Sequence, residues 1–165
     1  EQFEEYAGID EETARKAVEI YRERYAPIGI FENELYPGIE EMLSGLKNRG
    51  YKLAIASSKP EVFVKIVAEH FHIDSYFDEM VGSEPEGGRT NKTEVIEEAL
   101  KRLGLSEHRD QVMMVGDKAH DVFGARRAGL ECIAVSYGYG TEEELENAHP
   151  YKIVNSAEEI LDFFA

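Results

Sequence analysis

The sequence repeats one local pattern three times: an apolar stripe at helical spacing, a basic turn, a glycine, and then a short apolar run. The glycines are Gly50, Gly104 and Gly129. Basic residues suit the negative end of a helix, and glycine suits the left-handed residue that follows it. The apolar runs predict strands over 52–56, 112–115 and 132–136. Helices that alternate with continuously apolar, buried strands indicate an α/β fold with a doubly wound parallel sheet.

Four further elements complete this prediction. We expect a helix over 60–70, a short strand near 79–82, a strand over 151–154 and a terminal helix over 156–164. In doubly wound sheets, ligands bind beyond the carboxyl ends of the strands. The candidate functional residues are therefore those that follow a predicted strand.

The first part of the chain has a different pattern. Apolar residues from Ala14 to Tyr25 recur at helical spacing with no strand after them, and prolines and glycines follow at Pro27, Gly29 and Pro37-Gly38. We therefore predict a helical segment with a linker over 1–33 and an α/β core over 34–165.

Charge and composition narrow the function. The chain has 18 Lys+Arg against 34 Asp+Glu, a net charge of −16, which argues against a nucleic-acid or anionic-membrane partner. A small phosphorylated substrate stays compatible, since one lysine and a metal ion can hold it. No apolar run approaches the roughly 20 residues of a membrane span, and the first residues do not resemble a signal peptide. The single cysteine, Cys132, cannot form a disulfide within the chain, so we expect the protein in a reducing compartment, the cytoplasm. The sequence carries no indication of oligomeric state.

Two aspartates follow the strand predicted over 112–115. In G-D-K-A-H-D, residues 116–121, Asp117 lies at the end of the strand and Asp121 at or just inside the next helix. Two carboxylates at this spacing can face one point, and Mg²⁺ with its oxygen ligands would suit that point. Alternatively, Asp117 forms an Asx turn and Asp121 caps the helix.

Two further positions are candidates for phosphate binding. Ser57 and Ser58 follow the strand over 52–56, where a hydroxyl and turn N–H groups can hold phosphate oxygens; ordinary turn and capping roles are the alternative. Asn91 and Glu94 have capping-box spacing, which makes Lys92 the first residue of a helix. Lys92 then either lies in solvent or holds an anion bound near the helix start.

In this order, Ser57, Lys92 and G-D-K-A-H-D resemble the second, third and fourth motifs of the haloacid dehalogenase superfamily of phosphatases. L-Y-P-G-I-E-E-M-L and S-S-K-P are similar to its phosphoglycolate phosphatase-like members, a subgroup that includes 5′-nucleotidase-like proteins. The resemblance implies a Rossmann-like core with part of a small helical cap over 1–33. It also implies Mg²⁺-dependent hydrolysis of a small phosphorylated metabolite or nucleotide. Ser57 and Lys92 would contact the phosphoryl group, Asp117 would ligate Mg²⁺, and Asp121 would bind the metal directly or through water.

The family's first motif, D-x-D-G-T, does not occur in these 165 residues. The resemblance implies that this motif supplies the nucleophilic aspartate, on a strand between those that end near Ser57 and Val115. We therefore expect the 165 residues alone to be inactive and to leave two strand edges unpaired. The alternatives are a non-catalytic module or pseudo-phosphatase that binds phosphate or metal, and a 5′-nucleotidase.

Overall fold

The computed structural model describes residues 10–84 and 88–165, so residues 1–9 of the predicted cap segment lie outside the described residues. The helices are α1 (Glu11–Tyr25), α2 (Ile39–Asn48), α3 (Glu61–His70), α4 (Lys92–Leu103), α5 (Ala119–Arg127), α6 (Glu142–Ala148) and α7 (Ala157–Phe163). The strands are β1 (Ala54–Pro60), β2 (Glu79–Ser83), β3 (Met113–Gly116), β4 (Glu131–Val135) and β5 (Lys152–Val154).

The strands form two parallel sheets. β1 pairs with β2, with Ala56 opposite Val81. β4 lies between β3 and β5, with Val115 opposite Ile133 and Ala134 opposite Ile153. The predicted class, α/β with parallel strands and intervening helices, is confirmed.

A gap separates the two sheets. Within the described residues β1 pairs only with β2 and β3 only with β4, so each has an unpaired edge. Two clefts lie between these edges. One, of about 770 Å³, is bordered by Ala54 and Met113, and the other, of about 360 Å³, by Ser57 and Asp117.

This gap corrects one prediction. β3 is not a buried strand: Met113 and Met114 are half-buried, and Val115 is 36% exposed. An apolar composition predicts burial only where neighbouring elements cover the strand on both sides, and one edge of β3 faces the gap.

Helices hold the two sheets together. α4 packs against β1 and β2 and also against α5, which itself packs on β3 and β4. On α2, Met42 packs both with the cluster of Ile133 and Val154 and with that of Leu43 and Ala68. Apolar packing therefore joins the sheets where no strand pairing does.

Most predicted boundaries are close to those observed. The three glycines that end the helical stripes have φ values of +85°, +71° and +70°, the left-handed conformation expected there. The strand predicted over 52–56 instead runs over Ala54–Pro60. It begins late because Leu53 donates its N–H to the Asp78 carboxylate, and it ends late because Pro60 still pairs with Ser83 after a register shift. Helix α6 was not predicted.

The chain divides into two units between Glu34 and Leu35. In the first, the Asp10 carboxylate accepts the N–H of Thr13 at the start of α1, and Arg24 makes two hydrogen bonds to Glu32 at 2.8 Å. No helix in the described part of the chain is long and apolar enough to cross a bilayer.

Candidate active site

All five predicted site residues line the smaller cleft. It lies between the carboxyl ends of β1 and β3 and contains Ser57, Ser58, Lys92, Asp117 and Asp121. Ser57 and Ser58 lie on one sheet and Asp117 follows a strand of the other, so the cleft lies at the carboxyl ends of strands, where candidate residues were expected.

Asp121, the third residue of α5, is buried, at 3% exposure. Its Oδ2 accepts the N–H groups of Asp117 at 3.0 Å and Lys118 at 3.1 Å, so it caps the helix as one sequence alternative expected. A Cβ at Gly116 would overlap the Asp121 side chain, which explains the glycine before Asp117. This carboxylate fixes the turn that carries Asp117.

Lys92 is the first residue of α4, and the predicted capping box between Asn91 and Glu94 is present. Its Nζ lies 2.9 Å from Asp121 Oδ1 and donates to Ala56 O at 2.9 Å, and its side chain is 12% exposed. The alternative of a lysine in solvent is therefore wrong. Lys92 bridges the two sheets and brings a positive charge to the cleft between them.

Asp117 is held by a different loop. Its Oδ2 accepts the backbone N–H of Tyr139 at 2.8 Å, rather than forming an Asx turn. Tyr139 follows β4, the neighbouring strand, and the sequence analysis did not identify it as a site residue. Its signal was weak: a tyrosine between two glycines, four residues after the end of a buried strand of the same sheet.

Ser57 and Ser58 form the opposite wall. Ser57 Oγ accepts the N–H of Lys59 at 3.2 Å, which is turn chemistry, while Ser58 is exposed. Both also line the cleft, so the turn role and a phosphate contact are compatible.

The carboxylates of Asp117 and Asp121 differ in how free they are to coordinate a metal ion. Across residues 10–84 and 88–165, no three His, Cys, Asp or Glu side chains are grouped to hold one. Asp121 already bonds to Lys92 and to two N–H groups, whereas Asp117 accepts a single hydrogen bond through Oδ2 within the same ranges. Mg²⁺ typically takes one or two carboxylates with phosphate and water. Asp117 therefore fits a direct ligand, and Asp121 fits a supporting role.

A network of charged side chains at the start of α3, just after β1, was also not predicted from the sequence. Glu61, the first residue of α3, pairs with Arg89 at 3.0 Å, Arg102 at 3.1 Å and Lys65 at 2.8 Å. Burial alone would raise the pKa of the Glu61 carboxyl, but hydrogen bonds from Lys65, Arg102 and the Gly82 N–H lower it to about 2. The network joins the start of α3 to β2 and α4. It therefore holds in place the end of β1, which contains Ser57 and leads directly into α3.

The chain is similar to several known proteins. The family model described as haloacid dehalogenase-like hydrolase matches residues 1–135. A 5′-nucleotidase from Pseudomonas aeruginosa is 43% identical over 148 residues, which are 90% of this chain and 66% of that protein. The protein called phosphoglycolate phosphatase 1 from the same species is 27% identical over 157 residues, 95% of this chain and 57% of that one. The tyrosine-protein kinase PtkA from Mycobacterium tuberculosis is 33% identical over 146 residues, 88% of this chain and 50% of that one. The chain thus spans less than two thirds of the length of each of these relatives.

A solved structure agrees with the sequence comparisons. The crystal structure of a predicted phosphatase from Clostridium acetobutylicum superposes with a TM-score of 0.92 at 44% identity, over 99% of this chain and 74% of that one.

Proposed function

The chain belongs to the haloacid dehalogenase-like hydrolases, and on that premise we propose that its cleft belongs to a Mg²⁺-dependent phosphomonoesterase acting through an aspartyl-phosphate. The observation that carries the proposal is the placement of Lys92. Its largely buried ammonium group contacts Ala56, the neighbour of Ser57 in β1, and the carboxylate of Asp121. A phosphate between these walls would contact all three positions.

The charges of the cleft explain why a lysine is needed. A phosphate dianion beside Asp117 and Asp121 meets strong repulsion, which grows as water is displaced from the cleft. Lys92 offsets part of it, and its contacts with Ala56 and Asp121 hold its charge in place before the substrate binds. The Ser57 hydroxyl and the N–H group of Ser58 would bind phosphoryl oxygens from the other side.

Asp117 would hold the metal ion, with Asp121 acting through water or through the turn that it caps. When bound, Mg²⁺ neutralises phosphoryl charge and supports departure of the ester oxygen. Tyr139 N–H fixes one oxygen of Asp117 and thereby the direction of the carboxylate.

The nucleophile of the proposed reaction is a carboxylate that these 165 residues do not contain. In the first half-reaction a carboxylate oxygen bonds to phosphorus, the P–O ester bond breaks, and the leaving oxygen takes a proton from a second carboxyl group. In the second, water gives a proton to that second carboxylate and attacks phosphorus, the P–O bond to the acyl oxygen breaks, and inorganic phosphate leaves with both carboxyl groups restored to their starting states. The unpaired edges of β1 and β3 flank the place where a strand carrying D-x-D-G-T would lie.

The remaining assignments follow from the same proposal. Residues 1–33 would be part of a helical cap, and the substrate a small phosphorylated metabolite or nucleotide. A reducing cytoplasm suits a chain whose cysteine, Cys132, is buried and unpaired.

Two measurements test the function. The 165 residues alone should not hydrolyse 4-nitrophenyl phosphate, whereas the same residues preceded by a D-x-D-G-T strand should do so in Mg²⁺ and stop in EDTA. Lys92→Ala in the extended polypeptide should lower kcat roughly 10²–10³-fold. Lys101→Ala is the matched control, because Lys101 lies on the same helix with its side chain 76% exposed. Equal losses in both variants would indicate a stability effect and would remove the catalytic role of Lys92. Binding of Mg²⁺ and phosphate without any hydrolysis would favour the non-catalytic alternative.

A further inference from the structure

Three tyrosines lie near Asp117, which forms one wall of the cleft. Tyr137 and Tyr139 belong to the loop after β4, and Tyr36 lies just before α2. The Tyr36 and Tyr137 rings pack edge to face, with centroids 5.2 Å apart. The mechanism uses only the backbone N–H of Tyr139 and leaves these aromatic side chains without a role.

The loop that carries them is fastened to Asp117. Tyr139 N–H donates to Asp117 Oδ2 at 2.8 Å. A Cβ at Gly138 would overlap the Asp117 side chain, and one at Gly140 would overlap the Asp117 carbonyl oxygen. The loop therefore passes so close to Asp117 that residues 138 and 140 have no room for a side chain. Tyr139, between these two glycines, lies beside the proposed metal ligand.

Two of the rings are open to a ligand. Tyr139 is 83% exposed and Tyr36 is 41% exposed. Burial raises the pKa of Tyr36, and the nearby charges of Tyr139 and Asp117 raise it further. Burial likewise raises the pKa of Tyr137, with added effects of Tyr36 and Asp117. The phenol groups of Tyr36 and Tyr137 thus lie within electrostatic reach of the Asp117 carboxylate.

We propose that Tyr36 and Tyr139 form the leaving-group subsite of this cleft and select phosphomonoesters whose alcohol carries a planar ring. The inference rests on the proposed phosphatase function and narrows its substrate class. An ester whose phosphoryl group is held between Lys92 and Asp117 would have its alcohol within reach of the loop that is bonded to Asp117 and carries Tyr139. A planar ring gains stacking contacts there, whereas a two-carbon acid such as glycolate offers no face to stack.

The test compares kcat/KM for three substrates in the polypeptide that carries the D-x-D-G-T strand: phosphoglycolate, 4-nitrophenyl phosphate and adenosine 5′-monophosphate. Tyr139→Ala should lose roughly tenfold more on the two ring-bearing substrates than on phosphoglycolate, mainly through KM, and Tyr139→Phe should keep the preference. The Mg²⁺ dependence should not move, since alanine retains the N–H that Asp117 accepts. The two ring substrates distinguish a simple aryl group from a nucleobase.

Tyr151→Ala is the control, because Tyr151 is 59% exposed but lies before β5, at the amino ends of the strands. An equal loss of Tyr139→Ala on all three substrates, or no loss, would overturn the subsite while leaving the phosphatase function intact. Failure of the unmodified protein on every substrate would overturn the function instead. Calorimetry then still tests the subsite: adenosine 5′-monophosphate should bind more tightly than inorganic phosphate, and Tyr139→Ala should abolish that difference. The absence of any such difference in the unmodified protein would refute the subsite.

Discussion

Gly124 should be the residue that lets Lys92 reach the cleft. It is buried in α5, and a Cβ there would lie 2.5 Å from Lys92 Cγ and 3.0 Å from Lys92 Cβ. Cγ is in the middle of the lysine stem, so it cannot yield without displacing the ammonium group from Ala56 and Asp121. Gly124→Ala therefore tests, by adding one methyl group against the Lys92 stem, how much the position of the Lys92 ammonium group matters for stability.

The expected magnitude follows from two opposing effects. Alanine in a helix interior gains about 1 kcal/mol over glycine. Displacing Lys92 leaves Asp121, 5% exposed at its side chain, without its cation, and breaking such a buried pair typically costs about 3–5 kcal/mol. We expect Gly124→Ala to lower the free energy of unfolding by about 2–4 kcal/mol.

A double-mutant cycle measured by urea unfolding isolates the cause. In a Lys92→Ala background the Cγ is gone, so Gly124→Ala should change stability by no more than about 1 kcal/mol, which gives a coupling energy of about 3 kcal/mol. Gly45→Ala is the matched control: Gly45 is also inside a helix, and its Cβ would meet the flexible Leu161 methyl groups at 2.7 and 2.8 Å. It should show no coupling to Lys92. An equal cost of Gly124→Ala in both Lys92 backgrounds would refute the reasoning.

Three further outcomes are expected. Asp117→Asn should weaken Mg²⁺ binding in calorimetric titration more than Asp121→Asn, and equal affinity in both variants and the unmodified protein would remove the metal assignment. The pKa of Glu61 is lowered from 4.5 to about 2, so its carboxylate stabilises the fold above about pH 4.5 and loses that effect as the pH falls toward 2. The stability difference between the unmodified protein and Glu61→Gln should therefore shrink over that range, and a constant difference would contradict it. Burial, followed by the charge of Asp121, raises the pKa of Cys132 to about 12, so a thiol reagent at pH 8 should label it far more slowly in the folded protein than in urea.

The elements that local chemistry determines were predictable from the sequence. Glycine stops, the Asn91 capping box and the alternation of stripes with apolar runs each depend on neighbouring residues, and they place helices and strands to within a few positions. The rule that ligands bind beyond the carboxyl ends of parallel strands led to Ser57 and Asp117, and the capping box led to Lys92, although the structure distributes the two strands over two sheets.

Features that depend on long-range partners were not predictable in the same way. The exposure of Val115 depends on what lies beside β3, and the start of β1 depends on Asp78, 25 residues from Leu53. The contact between Tyr139 and Asp117 spans 22 residues and is made by a backbone N–H, so its only local trace in the sequence is the pair of glycines that flank Tyr139. Lys92 was identified as a candidate, but its burial required the tertiary structure.

The gap between the sheets has a consequence for the tolerance of the site. Ser57 and Asp117 stand on β-sheets that share no hydrogen-bonded ladder in the described chain, so the width of the cleft is not set by the regular spacing of either sheet. One parallel strand in the gap would set it at two inter-strand steps, about 9.6 Å. Without such a strand, the width of the cleft depends on side-chain packing at α4, which restrains a distance less tightly than a ladder of hydrogen bonds does. The distance between the wall that carries Ser57 and the wall that carries Asp117 would thus become fixed only when a strand fills the gap.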